Sequence, residues 1–579
     1  MEGLSTTLGS GAMTNSIAEI DTMGPGDTLF TIGTNTTACH PIIGIAMLRA
    51  LKRGVKLIAV DPRATTLTQH ADVWLRLNLG SDVALLNGLA NVILQNGWED
   101  TTYIAEHTEG FAHFKKIARN YSPEKASKIT GVPAKDIEKA AELIGTSNNV
   151  AIYYNMGITQ HTSGVDNVMA VSNIAILTGN LGRPKTGINP LRGQNNVQGA
   201  CDMGALPDVL PGYQKVHKAA IQKKFAKAWG CEIPTKEGLK IPSVLEGIEK
   251  DEIKAVYVFG ENPLRSDPDI NHVTHCLKKV ELLIVQDIFL TETAAIADVV
   301  LPGTTFAEKD GTFTSTERRV QRVRKAVEAS GQCKPDWLIL SELMETMGYP
   351  ASYSHPQEIF DEMRQLVPAY TGITYERLEN ESLQWPCPTT DHPGTPVLHV
   401  GGSIRGKARF VAADYRPPAE LPDADYPLAL TTGRVVAHYH TGTMTRRCWG
   451  LRGVAPYEEI EIHPSDATTI GIVNGETVRV SSRRGEVQAV AQVTTRVTPG
   501  LVFMTFHYAE SSANMLTNSA CDPITKTPEF KVCAVAVHKI NDLTVHQTNI
   551  PLKQQGKSVA GNHLHAMKHD KSKTLLQAI

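Results

Sequence analysis

A dense run of hydrogen-bonding side chains within residues 189–205 is the part of the chain best suited to chemistry. Five of them fall within seven residues: Arg192, Gln194, Asn195, Asn196 and Gln198. An arginine fork can pair with both oxygens of a small carboxylate, and amides can bind a planar heterocycle rich in donors. A solvated surface loop has a similar composition, so the run alone indicates either a loop or such a site.

Two aspartates and an arginine occupy positions that suit nucleotide binding. Asp61 and Asp287 each follow a short apolar segment that predicts a buried strand, where a carboxylate commonly holds a ribose or a purine edge. Arg63 can meet a pyrophosphate as a forked cation. Gly33 and Gly260 end the preceding strands, where glycine permits close backbone approach and the next helix N-terminus favours phosphate. A turn or helix-cap role is the alternative for each aspartate.

These residues belong to a strand–helix–strand pattern that occurs twice. Asp61 follows Gly33 by 28 residues and Asp287 follows Gly260 by 27, and each aspartate precedes an Ala-Asp-Val sequence whose aspartate lies 11 residues on. Such units are right-handed βαβ by default, and the matched offsets favour an internal duplication over chance likeness. The pattern predicts two similar ligands, or one ligand with two similar halves. Neither loop has G-x-G-x-x-G, which disfavours a plain nicotinamide site.

The segments that position these residues divide the chain into regions. From about residue 425 the strands are short and β-branched, which predicts a small barrel. We expect Rossmann-like α/β domains at 1–195 and 196–381, and a β-barrel domain at 425–545. A Pro-rich linker crossing the surface at 382–424 and a loosely ordered tail at 546–579 complete the expected organisation.

Bulk composition narrows the classes of protein. A chain of 579 residues is too long to fold around a single hydrophobic core, so several domains are expected. The net charge of -3 gives no electrostatic reason to expect binding to nucleic acid or to an anionic membrane. No run of about 20 apolar residues predicts a membrane span, and the first residues do not form a signal peptide. The nine cysteines are scattered, so they predict neither a disulfide framework nor a zinc or iron–sulfur cluster.

The polar run, L-R-G-Q-N-N-V-Q-G-A-C-D-M-G-A-L-P, resembles the corresponding stretch of formate dehydrogenases in the molybdopterin oxidoreductase (dimethyl sulfoxide reductase) family. The likeness extends in order over about residues 3–540. It includes GSGAMTNSI at 9–17, VDPR at 60–63, GSDVALLNG at 80–88, LTGNLGRPKTGINP at 177–190, VQDIFLTETAAIADVVLP at 285–302, EKDGTFT at 308–314 and DPITKTPEFK at 522–531. The family implies two Rossmann-like domains and a double-psi barrel.

The resemblance also implies a cofactor, in which two pterin guanine dinucleotides chelate one molybdenum or tungsten. Each half of the repeat would then take one dinucleotide. Residues implied to bind the first are Gly33, Asn35, Cys39, Asp61 and Arg63, with Gly80, Asp82, Met156 and Gln160 nearby. Gln194 of the polar run is also implied to bind the cofactor. Residues implied for the second are Gly260, Glu261, Asn262, Gln286, Asp287 and Thr291. The barrel would cover both through Arg434, His438, His440, Asn514, Phe530 and Lys531. Asn262, where relatives often have a carboxylate, and His440, where smaller residues are usual, depart from the family pattern.

Arg192 matches the family arginine that orients formate, so the implied reaction is oxidation of formate to carbon dioxide or its reverse. A guanidinium fork holds both formate oxygens and aims the C–H bond at the metal. Electrons would leave through an iron–sulfur cluster to a partner of the iron–sulfur, hydrogenase, NAD(P) or F420 type. The implied location is cytoplasmic.

Relatives carry a Cys-rich [4Fe-4S] motif near the N-terminus, and a selenocysteine or cysteine just before the G-x-G-A-M-T-N-S stretch. Here that stretch begins at Gly9 and no cysteine precedes Cys39. We therefore expect no protein ligand to the metal and no cluster ligands in this chain. A reading frame split at a selenocysteine codon and a natural two-chain enzyme are the two hypotheses for that segment.

Other functions stay open at this point. The same fold serves other substrates, such as nitrate, although Arg192 within L-R-G-Q-N-N favours formate. A non-catalytic cofactor-binding chain that needs a partner is a further alternative. The residues distinguish neither molybdenum from tungsten nor formate oxidation from carbon dioxide reduction, and they leave the electron acceptor and oligomeric state open.

Overall fold

Five parallel strands form the first sheet. Their spatial order is Val73–Leu75, Lys56–Val60, Asp27–Ile32, Asn149–Tyr154 and Gly187–Pro190. Side chains of the central strand alternate between two cores, with Phe30 and Ile32 in one and Leu29 in the other. The chain order reverses between Asp27–Ile32 and Asn149–Tyr154. In open α/β sheets, ligands bind beyond the carboxyl ends of the strands at such a reversal.

Helices cover both faces of this sheet, as expected of a doubly wound fold. Gly164–Leu177 is apolar on nearly every side and almost entirely buried, which is typical of a helix inside a core. The helices of this region are Glu2–Leu8, Glu19–Thr22, Thr36–Cys39, Pro41–Lys52, Asp82–Asn96, Thr101–His107, Phe111–Ala118, Pro123–Thr130, Ala134–Thr146, Met156–Thr159, Gly164–Leu177 and Val197–Asp202, with a 3-10 helix at Thr68–His70.

The second sheet repeats one half of the first, which confirms the predicted duplication. Its parallel strands lie in the order Val299–Pro302, Leu282–Asp287 and Ala255–Phe259. The backbone N–H of Gly33 donates to Val60 at 3.0 Å, and that of Gly260 donates to Gln286 at 2.8 Å. Both glycines have positive φ, +59° and +63°.

The aspartates of the two Ala-Asp-Val sequences are also equivalent. The Asp72 carboxylate accepts from the Leu57 N–H at 2.9 Å, and the Asp298 carboxylate accepts from the Leu283 N–H at 2.8 Å. In return, the Asp72 N–H donates to the Leu57 carbonyl and the Asp298 N–H donates to the Leu283 carbonyl, both at 2.9 Å. These two residues therefore pin one strand to the next, which explains their matched spacing structurally.

Smaller elements complete the second region. Strands Gly311–Thr314, Arg319–Val323 and Leu383–Gln384 form an antiparallel sheet, and Val209–Leu210 pairs with Gln214–Lys215. The helices are Ala219–Trp229, Ile241–Glu249, Pro263–Ser266, Ile270–Lys279, Asp336–Thr346, Pro356–Leu366 and Tyr375–Asn380, with 3-10 helices at Ala294–Ile296, Phe306–Glu308 and Pro368–Tyr370.

The C-terminal region is a closed six-stranded barrel, as predicted. Its strands follow one another in the order Leu428–Gly433, Leu501–Thr505, Glu459–Ile462, Glu486–Val493, Thr477–Ser481 and Cys533–Lys539. Buried residues alternate with exposed or half-buried ones along Thr477–Ser481, as a barrel strand requires. Its remaining helices are Trp449–Val454 and Pro464–Ile470, with 3-10 helices at Thr445–Arg447, Ala509–Ser511 and Ala513–Met515.

The Pro-rich segment 382–424 differs from the surface linker that its composition predicts. Trp385, Leu398 and Phe410 are buried in hydrophobic cores. The buried Arg318 guanidinium donates to the Trp385, Thr395 and Pro396 carbonyls, which holds this segment against the body. The few apolar side chains among the prolines are what anchor it.

The computed structural model describes residues 1–540. Within that range no helix is long and apolar enough to cross a membrane. The predicted loosely ordered tail at 546–579, and the last five residues of the predicted barrel domain, lie outside the described residues.

Candidate cofactor-binding site

A cleft with about 960 Å³ of empty space, including solvent at its mouth, opens where the first sheet meets the barrel. It lies at the carboxyl ends of the strands, where the chain order reverses. Ten of the residues predicted to bind the first dinucleotide or to cover it line this cleft: Gly33, Asn35, Cys39, Asp61, Arg63, Gly80, Asp82, Met156, Arg434 and Lys531. The structure thus brings together residues up to 498 positions apart (531 − 33).

Gly33 permits a close backbone approach, but to another loop of the chain. A Cβ at this position would lie 2.7 Å from the Gly157 carbonyl carbon. The Gly157 N–H also donates to the Gly33 carbonyl at 3.0 Å. Glycine at 33 and 157 therefore lets the loops after two neighbouring strands touch, which shapes the floor of the cleft. At Gly260 the space around a Cβ is open.

Two carboxyl groups line the cleft, the half-buried Asp61 and the buried Asp82. Burial raises the pKa of Asp61 to about 6, against the opposing effect of the Arg63 N–H bond, and burial raises that of Asp82 to about 7. Repulsion from Asp61 raises the pKa of Asp82 further. Carboxyl groups withdrawn from water are satisfied by N–H or O–H donors, such as those of a guanine edge or a ribose.

Two cationic side chains, Arg434 and Lys531, line the same cleft. Burial and the nearby Arg434 lower the pKa of Lys531 to about 8, and its ammonium donates to the Thr432 carbonyl at 2.7 Å. The Arg434 Nη2 is buried and has no hydrogen-bond partner in the described part of the chain. An unpaired buried guanidinium nitrogen is costly unless an anion satisfies it. The donor set therefore fits a ligand with a phosphate group between the barrel and the sheet.

Arg63 lines the cleft, but its guanidinium is already paired. Its Nε and Nη2 each donate to the Glu461 carboxylate at 2.5 Å, and the guanidinium lies over the Phe503 ring, 3.8 Å from the centroid. Arg496 adds a second ion pair to Glu461 at 2.8 Å. Arg63 thus joins the first domain to the barrel, and its role as a pyrophosphate ligand stays a prediction.

The polar loop lies beside the cleft. Gly193 lines the cleft, whereas Arg192 does not. Arg192 Nε donates to Gln198 Oε1 at 3.2 Å, and its carbonyl accepts from His40 Nε2 at 2.5 Å. Nη1 has only a 3.9 Å contact to Cys201 Sγ, and the buried Nη2 has no partner among residues 1–540. The backbone and Nε are therefore held, which leaves the two Nη nitrogens for a ligand. Gln194 is half-buried, and no side-chain hydrogen bond holds it.

The predicted second-half residues form a separate group whose side chains are largely committed. Asn262 donates to Glu292 at 2.8 Å and accepts from the Thr293 N–H and hydroxyl, so it braces its own loop. Gln286 is buried and bonded to Tyr257 and Asp336. Thr291 accepts from the Ala294 N–H at 3.2 Å. Glu261 is solvent-exposed and Asp287 half-buried, so these two carry the open polar groups.

The barrel touches this second group through Asn514. Its side-chain amide donates to the carbonyls of Arg265 and Ser266 at 2.9 and 3.2 Å. Asn514 Oδ1 and Arg265 Nη2 are both buried and have no partner within residues 1–540, so an acceptor and a donor are left for a ligand at this junction. Arg447 also stacks on Phe289, 4.4 Å from the ring centroid. The barrel thus contacts both halves of the repeat, and its predicted cover over both dinucleotides stays a prediction.

The remaining predicted barrel residues have structural contacts. Both ring nitrogens of His438 are bonded, to the Thr445 hydroxyl and the Ala455 carbonyl. Burial and the nearby Arg434 lower the pKa of His440 to about 4, so this imidazole is neutral. The Phe530 carbonyl accepts from the Thr432 hydroxyl at 2.8 Å, and the Gln160 carbonyl accepts from the Lys531 N–H at 3.4 Å. Their predicted cofactor contacts stay predictions.

Several residues that line the cleft were not predicted from the sequence. His161, whose pKa is lowered to about 4 by burial, and Phe503 and Phe506 line the cleft, yet each resembles an ordinary core residue in sequence. Glu461 lies within an alternating strand, Glu459–Ile462, where a buried position usually holds an apolar residue. The pattern EIEI gives no signal, because its alternation predicts that both glutamates lie on a solvent-facing side of the strand.

Replacing Asp82 with asparagine is expected to stabilise the unliganded chain in a pH-dependent way. An unfolded aspartate titrates near pH 4, and the folded pKa is about 7, so wild type loses stability as pH rises between these values. The advantage of Asp82→Asn should therefore grow by about 2–3 kcal/mol from about pH 5 to about pH 8. Urea unfolding at both pH values measures it, with the exposed Asp425→Asn as control. An advantage that shrinks with rising pH would contradict this.

The chain is similar in sequence to known protein families and to individual proteins. Residues 4–346 match the family described as "Molybdopterin oxidoreductase", and residues 428–534 match the one described as "Molydopterin dinucleotide binding domain". The chain is 49% identical over 542 residues to "F420-dependent formate dehydrogenase 1 subunit alpha" of Methanococcus maripaludis, covering 93% of this chain and 80% of that protein. It is 42% identical over 547 residues to "Formate dehydrogenase H" of Escherichia coli, covering 93% and 76%.

A solved structure shares the fold. "Acetylene Hydratase from Pelobacter acetylenicus" superposes with a TM-score of 0.74 at 21% identity, covering 93% of this chain and 80% of that one. At that identity the likeness concerns the fold alone. The sequence matches over more than half of the chain, together with the duplicated sheets and the barrel, show that this chain belongs to the molybdopterin oxidoreductase family.

Proposed function

We propose that this chain is the cofactor-binding body of a formate dehydrogenase, which carries out the two-electron oxidation of formate to carbon dioxide or the reverse. The relatives at 42–49% identity are named for formate. The observation in this chain that carries the proposal is Arg192 beside the cleft. Its guanidinium is held at Nε by Gln198, and within residues 1–540 its two Nη nitrogens have only a 3.9 Å contact to Cys201 Sγ. A fork of this kind recognises a small carboxylate.

The proposed cofactor is molybdenum or tungsten bis(pterin guanine dinucleotide). When bound, it supplies the two-electron redox chemistry, and the protein supplies binding and orientation. Asp61 and Asp82 would accept hydrogen bonds from the first dinucleotide, while Lys531 and Arg434 would neutralise its phosphates. Glu261, Asp287, Arg265 and Asn514 would hold the second.

Arg192 has the role of orienting the substrate. Its carbonyl is fixed by His40 and its backbone N–H by the Thr316 hydroxyl at 2.9 Å, so the residue is anchored on both sides of its Cα. Gln198, which is itself bonded to Asp202 and Tyr213, fixes the plane of the guanidinium. A preorganised fork holds formate in one orientation and loses little entropy on binding it.

An electron-transfer subunit, of the iron–sulfur, hydrogenase, NAD(P) or F420 type, is the proposed partner. Two relatives, at 49% and 48% identity, are named as alpha subunits of F420-dependent formate dehydrogenases, which supports a multi-subunit enzyme. A cytoplasmic location stays a prediction.

The proposal is tested on the purified enzyme that contains this chain. Formate should reduce a redox dye, and molybdenum or tungsten should co-purify. Dye oxidation that depends on nitrate, with no response to formate, would instead favour the nitrate reductase-like alternative. Metal content without either activity would favour a non-catalytic cofactor-binding chain.

A further inference from the structure

Three side chains with metal-binding atoms meet beneath the second parallel sheet, outside the cleft. His272 and Cys276 lie one turn apart on the helix Ile270–Lys279, so they share one face. Glu249 is the last residue of the helix Ile241–Glu249, which packs against it. One ligand atom from each lies within 4.8 Å of the others. Nothing in the proposed formate chemistry uses these residues.

The distances suit a tetrahedral cation. His272 Nε2 lies 3.5 Å from Cys276 Sγ and 2.9 Å from Glu249 Oε1. Metal bonds of about 2.3 Å to sulfur and about 2.0 Å to nitrogen at a tetrahedral angle separate the two ligand atoms by about 3.5 Å. The histidine and cysteine therefore already have the spacing that a bound zinc ion requires, and the Glu249 carboxylate lies within 4.8 Å of both.

Burial gives this cluster one fixed side and one open side. Cys276 is fully buried beside Ile248, Val273 and Leu277, which hold its sulfur in place. The side chains of His272 and Glu249 are 35% and 46% exposed, so an ion can enter from solvent and keep a water as its fourth ligand.

The surrounding charges favour a cation. Asp269 caps the helix that carries His272 and lies near Cys276, where it adds negative charge. Lys279 is the nearby cation, and its ammonium is engaged by Asp251 at 3.0 Å and by the Glu249 carbonyl at 2.7 Å. The cluster therefore faces two acidic residues besides its own carboxylate, and one lysine that is already paired.

We propose that Glu249, His272 and Cys276 form a site for a borderline-soft divalent cation, with zinc as the fitting ion. A thiolate and an imidazole select zinc over magnesium or calcium, which prefer oxygen ligands throughout. The ion would clamp the two helices that support the second sheet, so its effect is on stability. The alternative is an ordinary His272–Glu249 ion pair, which makes the same histidine–carboxylate contact but leaves the thiol protonated.

Cobalt distinguishes these two cases, because a thiolate–cobalt bond gives a charge-transfer absorption band and an ion pair does not. Cobalt chloride is added to the full chain after chelator treatment, and the difference spectrum is recorded. We expect a band that saturates at one equivalent and is displaced by zinc. It should be lost in Cys276→Ala and His272→Ala, and retained in His275→Ala, an exposed histidine of the same helix, and in Cys231→Ala, an exposed thiol.

Stability provides the second readout. Zinc should raise the apparent Tm of the wild type and both controls, but not that of the two site variants, whose folding is checked by circular dichroism. A wild type without the band, or a band of equal strength in Cys276→Ala, would overturn the proposal. If Cys276→Ala does not fold, retention of both the band and the zinc-dependent Tm rise in His272→Ala would overturn it instead.

Discussion

Replacing Arg192 with lysine is expected to lower kcat/KM for formate by about 100-fold, the size of loss that accompanies a misplaced substrate. Lysine keeps the positive charge but loses the fork that pairs with both carboxylate oxygens and the Nε donor that meets Gln198. The chain should keep its cofactor, because the cleft is lined by Gly193 and not by Arg192. Steady-state kinetics with a redox dye, with metal content measured on the same samples, separates the two effects.

A matched control for this substitution lies on the surface. Arg416 pairs with Asp166 at 2.7 Å and is more than half exposed. Arg416→Lys should leave kcat/KM unchanged. If Arg192→Lys turned over formate within about threefold of wild type at equal metal content, the fork would not be orienting the substrate.

Replacing Glu461 with alanine is expected to cost about 3–5 kcal/mol of folding free energy, because it leaves the buried Arg63 guanidinium without its partner. Arg63 and Glu461 have side chains only 6% and 4% exposed, so water cannot replace the lost contact. The pair joins the first domain to the barrel, so the variant should also retain less cofactor. Urea unfolding followed by circular dichroism measures the stability.

Two further variants define this effect. Arg63→Met combined with Glu461→Leu should recover most of the lost stability, because an apolar pair of similar volume carries no desolvation penalty. Asp21→Ala breaks the exposed Arg49–Asp21 pair and should cost no more than about 1 kcal/mol. A Glu461→Ala variant as stable as Asp21→Ala would show that the buried pair does not hold the two domains together.

The features that were predictable from sequence are those in which local spacing dictates geometry. Gly33 and Gly260 end parallel strands and Asp72 and Asp298 pin the next ones, because both repeats make the same backbone bonds. The alternation along Thr477–Ser481 likewise requires a strand with one buried face.

What could not be predicted depends on partners far apart in the chain. Glu461 meets Arg63 across 398 residues, so no local pattern reveals that the arginine is occupied. The Asn262 side chain is hydrogen-bonded to Glu292 and Thr293 within its own loop. The family resemblance predicts a cofactor contact at this position and gives no indication of that local role. The segment 382–424 is composed like a linker, and it is the packing of Trp385 that makes it part of the core.

The central claim is that the duplicated half-sites bind two guanine dinucleotides around one metal. The most direct measurement is the guanine nucleotide released by hydrolysis of the purified enzyme containing this chain, together with its molybdenum and tungsten content. Two guanine nucleotides and one metal ion per chain are the predicted result. A single guanine nucleotide per metal ion, or an adenine or nicotinamide nucleotide in its place, would contradict it.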